Sequence, residues 1–475
     1  MSAARNSVAV RSLVAIRSSD RGSGSLLVAS RKKTPSLDAF AMSNSSKATN
    51  LILDPVAGEV NGEWGFKGAK TTHLTHGLHP YPARMVPQVA ERILAHFVPP
   101  EGVVWDPFCG SGTVLLESMV NGHPSIGTDL SPFACLLAKT KTTPIPNSEL
   151  KRWSDWLVPR IRGARADEAR LSFRPTLDDF TLDVNYWFRK TVIRDLGYIR
   201  SVIEEAEATG AQDSISDLLK TTFSWTVRQA SNQRRNEFKR YRKPKDELGG
   251  KSPVAVDLFL RKLTANIRMV REFSEKCAEC PLPEVVMADS SVYRPEKTVS
   301  TILTSPPYGD STTTVAYGQY ASLMMEWLGL DGGGWRDIDR KCVGGNPERP
   351  RETSKSETLM KVIETINSID PDRAKIVQTF FGDMRACLKN FQKALIPGGR
   401  LCIVIGDRTV REITVPNATI LTEDAEDLGF KHEITLARRI FFKVMPYRIN
   451  PIGRTGEKQD TPAIGKDHII VLRMD

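Results

Sequence analysis

No apolar run in this chain reaches the ~18 residues that a membrane-spanning helix requires, so no segment reads as a membrane anchor. Cysteine is scarce: seven residues in 475, scattered and odd in number. A disulfide framework is excluded, and a reducing compartment fits better. Only Cys277 and Cys280 stand at ligand-like spacing, and no second Cys or His pair accompanies them. Structural zinc sites are normally four-coordinate, so no metal is expected there. His73, His76 and His79 crowd together but have no acidic or Cys neighbour in the sequence, and no metal is expected there either. Charge of one sign is missing from most of the chain. Residues 1–41 carry +5 and residues 228–245 carry +7, which taken from the total of +10 leaves −2 for everything else. Two basic islands on a near-neutral body indicate a local contact with a polyanion.

The remaining composition is that of a soluble globular protein, with 40% hydrophobic and 26% charged residues. The length admits two or three domains. Residues 1–50 are rich in Ser, Arg and Ala and poor in acids. That composition suits an organelle transit peptide, a basic disordered tail, or a start extended upstream of Met42. Residues 1–70 are taken as a basic tail.

From His73 the pattern becomes structured. A Pro-punctuated loop, His79-Pro80-Tyr81-Pro82, precedes an amphipathic helix marked by Val86, Val89, Ile93, Leu94 and Phe97. An apolar strand at Val103–Trp105 then runs into Asp106-Pro107-Phe108-Cys109-Gly110-Ser111-Gly112-Thr113, and a helix follows over Val114–Val120. Glycine lets backbone N–H groups approach a ligand closely at such a strand–turn–helix junction. No Gly-Lys-Ser/Thr follows the turn, so it is not a phosphate loop, nor does it match GxGxxG. The next strand ends at Asp129, where a doubly wound fold places an acid that binds ribose hydroxyls. Asp129 could equally cap the helix that begins near Pro132.

Residues 151–283 show helical spacing and few strand signals. Inside them lies the basic run from Arg228 to Lys245, where cations alternate with Asn, Gln, Phe and Tyr. A run of this kind is usually a solvated helix face, but its single sign and its aromatics favour nucleic-acid contact. Strand grammar returns at Glu284–Asp289 and Val299–Leu303. Residues 310–372 read as a loop-rich, mobile stretch because of Asp331-Gly332-Gly333-Gly334 and Gly344-Gly345-Asn346-Pro347. A helix over Ile376–Leu395, a strand at Leu401–Gly406, a two-strand excursion over Thr409–Val415, a helix over Ile420–Leu428, and strands at Leu436–Val444 and His468–Leu472 complete the chain. The alternation predicts an α/β fold, a doubly wound sheet with an antiparallel end plus a mostly helical insertion.

The strand at Val299–Leu303 feeds Thr304-Ser305-Pro306-Pro307-Tyr308. Each proline fixes its own φ and biases the residue before it away from helix, so the loop is stiff and extended. It offers a hydroxyl, a free carbonyl and an aromatic face within four residues. Such a set can hydrogen-bond a planar amino group and stack on the ring that carries it.

Together these loops resemble those of the S-adenosylmethionine-dependent DNA amino-methyltransferases, which make N4-methylcytosine or N6-methyladenine. Asp106–Thr113 looks like the family's cofactor loop, Ser305-Pro306-Pro307-Tyr308 like its catalytic loop, and His79–Pro82 like the element that closes over the cofactor's methionine part. The resemblance covers residues 73–143 and 284–475. It implies a Rossmann-like methyltransferase domain whose cofactor half is 71–150 and whose catalytic half is 284–475. It also implies that the insertion, 151–283, recognises the target. S-adenosylmethionine would be held by His79, Tyr81, Asp106, Phe108, Cys109, Gly110, Gly112, Thr113, Asp129 (ribose) and Asp289 (adenine). Ser305 and the Pro306 carbonyl would accept the amino protons of a flipped base, and Tyr308 would stack on it. Arg228, Arg234, Arg235, Lys239, Arg240 and Arg242 would contact double-stranded DNA. Serine before Pro-Pro-Tyr leans the resemblance towards cytosine N4, with adenine N6 second. Methylation of tRNA at guanine N2 and a non-catalytic DNA-binding scaffold are the other classes. A bacterial cytoplasm, association with the nucleoid and a cognate restriction endonuclease as partner are what the resemblance further implies.

Overall fold

The computed structural model describes residues 64–163, 173–178, 180–235, 237–250, 252–310, 314–330, 334–348, 352–440 and 466–475. The tail expected over 1–70 therefore lies almost wholly outside the described residues. So does the end of the strand expected at 436–444.

A seven-stranded sheet organises the described chain. Its strands are β1 (Val104–Asp106), β2 (Ser125–Asp129), β3 (Glu284–Met287), β4 (Val299–Thr304), β5 (Leu395–Ile405), β8 (Phe430–Arg439) and β9 (Lys466–Met474), in the order β3-β2-β1-β4-β5-β9-β8. The first five are parallel, and β9 and β8 pair antiparallel to close the edge. The Thr409–Val415 excursion forms a separate hairpin, β6 (Arg408–Val410) and β7 (Ile413–Val415). Its turn residues Arg411 and Glu412 both have positive φ, as a two-residue hairpin turn that follows strand twist requires.

The central strands bury apolar residues on both faces because helices cover both. Side chains alternate between those faces along each strand. Val104, Leu303, Cys402, Val404, Ile469 and Val471 meet α1 (Pro87–Phe97) on one side. Trp105, Ile302, Leu401, Ile403 and Leu472 meet α12 (Pro371–Ala394) and α13 (Asn417–Asp427) on the other. The helix expected over Ile376–Leu395 begins five residues earlier, because the Asp370 side chain accepts from the Arg373 N–H and Pro371 occupies the first turn. The expected final strand pair forms, but β8 starts directly after Gly429, whose φ of 91° ends α13 and turns the chain.

The insertion is helical as expected: α4 (Asn147–Gly163), α5 (Val184–Trp187), α6 (Lys190–Ala208), α7 (Asp213–Ala230) and α8 (Ala255–Lys276). Together with α2 (Thr113–Val120) and α3 (Pro132–Thr142), they precede β3 in the chain. The loop-rich reading of 310–372 is corrected. That stretch forms α9 (Tyr317–Leu328), α10 (Trp335–Lys341) and α11 (Glu357–Asn367). Tyr320, Leu323, Met324 and Trp327 build an apolar helix face that joins the core of the insertion. Trp327 is almost fully buried and receives the ring edges of Phe180, Phe188 and Phe223. Among the described residues no helix is long and apolar enough to cross a membrane.

Candidate active site and basic hairpin

Strand order reverses between β1 and β4, which pair directly. Ligands of open parallel sheets bind beyond the carboxyl ends of the strands at such a switch point. Asp106 and Thr304, the last residues of β1 and β4, meet there. The Thr304 hydroxyl donates to Asp106 Oδ1 at 2.7 Å, and the Phe108 N–H donates to the same oxygen at 3.1 Å. One buried carboxylate thus fastens the glycine loop to the Ser-Pro-Pro-Tyr loop. Burial pushes the Asp106 carboxyl up to about 7 against those two hydrogen bonds.

A cavity of about 450 Å³ opens between the loops, within the size range of small-molecule sites. Of the sequence-expected residues, Tyr81, Asp106, Phe108, Cys109, Gly110, Thr113, Asp129, Asp289, Ser305 and Pro307 line it. Gly110 has φ of 50°, and a Cβ there would stand 3.2 Å from the Tyr81 ring. Its N–H donates to Asp129 Oδ2 at 3.0 Å, while Oδ1 accepts from the Ser131 N–H at 2.8 Å. Asp129 therefore closes the glycine turn and also faces the cavity, with burial raising its carboxyl to about 6. Asp289 accepts from the Ser291 N–H and hydroxyl at 2.9 and 2.7 Å, so it too combines a turn with a place on the wall. Cys109 is buried, and that burial pushes its thiol well above its ordinary range. Ser305 and the Tyr308 hydroxyl are hydrogen-bond partners.

Four expected residues are not on the wall. His79 is buried beside Phe133, holds the Pro80 carbonyl at 2.6 Å and is pushed down to about 3 by burial. It is a neutral support for the loop that carries Tyr81. Gly112 has φ of 74° and packs against Ala138 of α3. Pro306 is buried, and Tyr308 is half-buried against the α12 side of the sheet, its carbonyl accepting from Asn417 Nδ2 at 3.1 Å.

Sequence reasoning missed several residues. Tyr317, at the start of α9, lines the cavity with its ring stacked 5.9 Å from that of Tyr81. The Thr128 and Ser290 hydroxyls stand 3.0 Å apart, each within hydrogen-bonding reach of the Pro107 carbonyl, and this cluster fixes the start of the glycine loop. Glu117 brings the acidic partner that the histidines lack in the sequence: its Oε1 lies 3.1 Å from His73 Nε2 and 2.7 Å from His76 Nε2. His79 is not part of that cluster. No local signal could reveal these contacts, since each spans tens to hundreds of residues.

The basic run is not a helix face. α7 ends at Ala230, and residues 231–235 and 237–245 fold back as the two sides of an irregular hairpin. Gln233 and Arg242 bridge antiparallel, the Arg234 N–H donates to the Tyr241 carbonyl, and the Lys243 N–H donates to that of Asn232, both at 2.8 Å. Two of the six expected nucleic-acid contacts are corrected. Arg228 is only 6% exposed, lies 4.2 Å from the Tyr320 ring centroid and donates to the carbonyls of Arg235 and Glu237. Arg240 lies over the rings of Trp187 and Trp335 and donates to the Ser322 hydroxyl. Cation–π contacts contribute about 0.5–2 kcal/mol each, so both guanidinium groups are committed to holding the hairpin. Arg242 rests over Tyr186, Lys239 is half-buried, and Arg234 and Arg235 are exposed.

The family described as DNA methylase matches residues 25–140. The type II methyltransferase M.MvaI of Kocuria varians is 31% identical over 434 residues, covering 86% of this chain and 94% of that protein. Two shorter matches involve type II methyltransferases. M.MjaII of Methanocaldococcus jannaschii is 41% identical over 83 residues, 18% of this chain and 16% of that one. M.ScaI of Streptomyces caespitosus is 32% identical over 91 residues, 18% and 29% respectively.

Proposed function

Since the chain belongs to the family of S-adenosylmethionine-dependent DNA amino-methyltransferases, we propose that it methylates the exocyclic N4 of a cytosine flipped out of duplex DNA. The observation that carries this reading is the Thr304–Asp106 hydrogen bond, which puts Ser305 and the glycine turn on one cavity. The cavity suits the cofactor. Its wall holds five carboxylates, Asp106, Asp129, Asp289, Glu352 and Asp383, which suit a cationic ligand, and burial raises the first two. Bound there, S-adenosylmethionine supplies a methyl group made electrophilic by its sulfonium charge.

Asp129 and Asp289 would accept from the cofactor's hydroxyl and amino groups, and the backbone from Phe108 to Thr113 would cradle its amino-acid part. Ser305 Oγ and the Pro306 carbonyl accept hydrogen bonds from the base's amino group. Those bonds draw the nitrogen lone pair out of the ring, and preplaced acceptors of this kind act by orientation and electrostatics. No strong base is needed before attack, because the nitrogen becomes acidic only once methylated. Tyr308 supplies an aromatic face for the base, whose extrusion costs a few kcal/mol. Ser305, where an acid would favour adenine, supports cytosine. The insertion with its basic hairpin reads the target, and an endonuclease of the same specificity is the expected functional partner.

Ser305→Ala should lower single-turnover methylation by about 10²-fold or more, the cost of removing one preorganised polar group. Cofactor affinity by calorimetry should stay within about twofold. A variant that turns over at the wild-type rate would overturn the role given to this loop.

A further inference from the structure

The duplex must be held open while one of its bases lies in the cavity, and a side chain inserted into the base stack does this. We propose that Phe238, at the tip of the basic hairpin, is the wedge that enters the duplex and fills the space left by the extruded base, with Tyr241 packing beside it. The inference rests on the DNA-methylating reading above and deepens it.

Phe238 is 39% exposed and Tyr241 46% exposed. Exposure of large apolar groups is not confined to them: Leu282, Met360 and Ile369 are more exposed still. What separates Phe238 and Tyr241 is their setting. They alternate with exposed Arg234 and Arg235 and half-buried Lys239 on one hairpin. The rest of the chain outside the two basic islands is near neutral. A cationic loop with a protruding aromatic complements a phosphate backbone and a base stack together.

The tip is also stiff and close to the cavity. Arg228 ties the carbonyls of Arg235 and Glu237 to the body of α7. On the far side, Arg240 is clamped over Trp187 and Trp335, and its N–H donates to Gln319 Oε1 at 3.2 Å. Gln319 lies two residues beyond Tyr317, a rise of about 3 Å along α9, and Tyr317 lines the cavity. Lys239 acts on the Asp339 carboxylate, which accepts from the N–H groups of Gly318 and Gln319 at 2.8 and 2.9 Å. The neighbours of Asp339 in the chain, Ile338 and Lys341, also line the cavity. Phe238 is thus carried by a braced loop seated on the two helices that form one rim of the site. Arg228, Arg240 and Arg242, lying over the four rings of Tyr320, Trp187, Trp335 and Tyr186, hold a loop on which Phe238 stays exposed. That arrangement suits a wedge, since a mobile tip would have to be ordered at each extrusion.

The test uses the full-length protein, labelled S-adenosylmethionine and duplexes containing its methylation site, mapped by sequencing DNA modified by the wild type. Two substrates are compared, one with the target cytosine paired to guanine and one with it opposite an abasic position, where extrusion costs less. Phe238→Ala should slow single-turnover methylation of the paired duplex by about tenfold, the factor that corresponds to stacking on one base. On the abasic duplex it should return to within about twofold of wild type, and Phe238→Leu should lie between. Wild-type rates for Phe238→Ala on the paired duplex, or an equal deficit on both duplexes, would overturn the wedge. A wild-type protein that methylates no duplex DNA would instead overturn the reading on which the wedge rests.

Discussion

Asp106 is destabilising at neutral pH, and the reason is local. Its folded-state pKa of about 7 exceeds the ordinary 3.8 because burial outweighs the Thr304 and Phe108 hydrogen bonds. Between those values the folded protein keeps a proton that the unfolded chain has lost, so this group's contribution to stability falls as pH rises from about 4 to about 7. Asp106→Asn keeps an acceptor and removes the charge. Thermal unfolding at pH 8 should show a midpoint equal to or above wild type, while affinity for S-adenosylmethionine should drop about tenfold or more. A lowered midpoint with intact affinity would contradict this assignment. Asp129, at about 6, adds to the same window. Affinity for the cationic cofactor should therefore rise from pH 5 to pH 7.5 as both carboxylates ionise. S-adenosylhomocysteine, which lacks the sulfonium charge, should show a smaller rise in the same titration. Equal pH profiles for the two ligands would show that these carboxylates do not face the charge. His79 runs the opposite way: pushed down to about 3, it stays neutral while the unfolded chain takes up a proton below 6.5. It opposes folding in acid by about 1.4 kcal/mol per pH unit.

The glycine loop separates two functions that its sequence merges. Gly112→Ala meets a left-handed φ of 74° and a Cβ 3.0 Å from the Ala138 backbone. Strain and overpacking together should cost about 2 kcal/mol or more, seen as a lowered unfolding midpoint. Gly110→Ala places its Cβ 3.2 Å from the Tyr81 ring edge on the cavity wall. At its own left-handed φ of 50° this variant is strained too, but unlike Gly112→Ala it should also lower cofactor affinity, measured by calorimetry. Equal effects of both substitutions on affinity would contradict this division. The strand–loop units around these glycines were legible because an apolar run followed by Gly or Pro is a local pattern. α9 and α10 were not, because the surface that buries Trp327 comes from Phe180, Phe188 and Phe223, about a hundred residues earlier. The hairpin was hidden for the same reason. Nothing near Arg240 announces Trp335, so a committed guanidinium and a free one look alike in sequence.

At the scale of the whole molecule, the basic tally of residues 228–245 overstates what can meet a polyanion. With Arg228 and Arg240 turned inward, Arg234 and Arg235 are the exposed arginines of the hairpin. Replacing both by Ala should reduce the slope of log K for DNA against log salt by about two and leave the unfolding midpoint unchanged. Arg228→Ala should lower the midpoint through the loss of its carbonyl and ring contacts. Equal salt slopes for the double variant and the wild type would place the DNA surface elsewhere. The cavity, the stiff loop beside it and the braced hairpin near its rim support the proposal that an amino group of a DNA base is methylated in this site. Incubation of the purified protein with isotope-labelled S-adenosylmethionine and either duplex DNA or tRNA, followed by digestion and nucleoside mass spectrometry, tests it directly. Labelled N4-methylcytosine from the DNA is the expected product. Labelled N6-methyladenine would contradict the assignment of the base, and label found only in tRNA would contradict the claim as a whole.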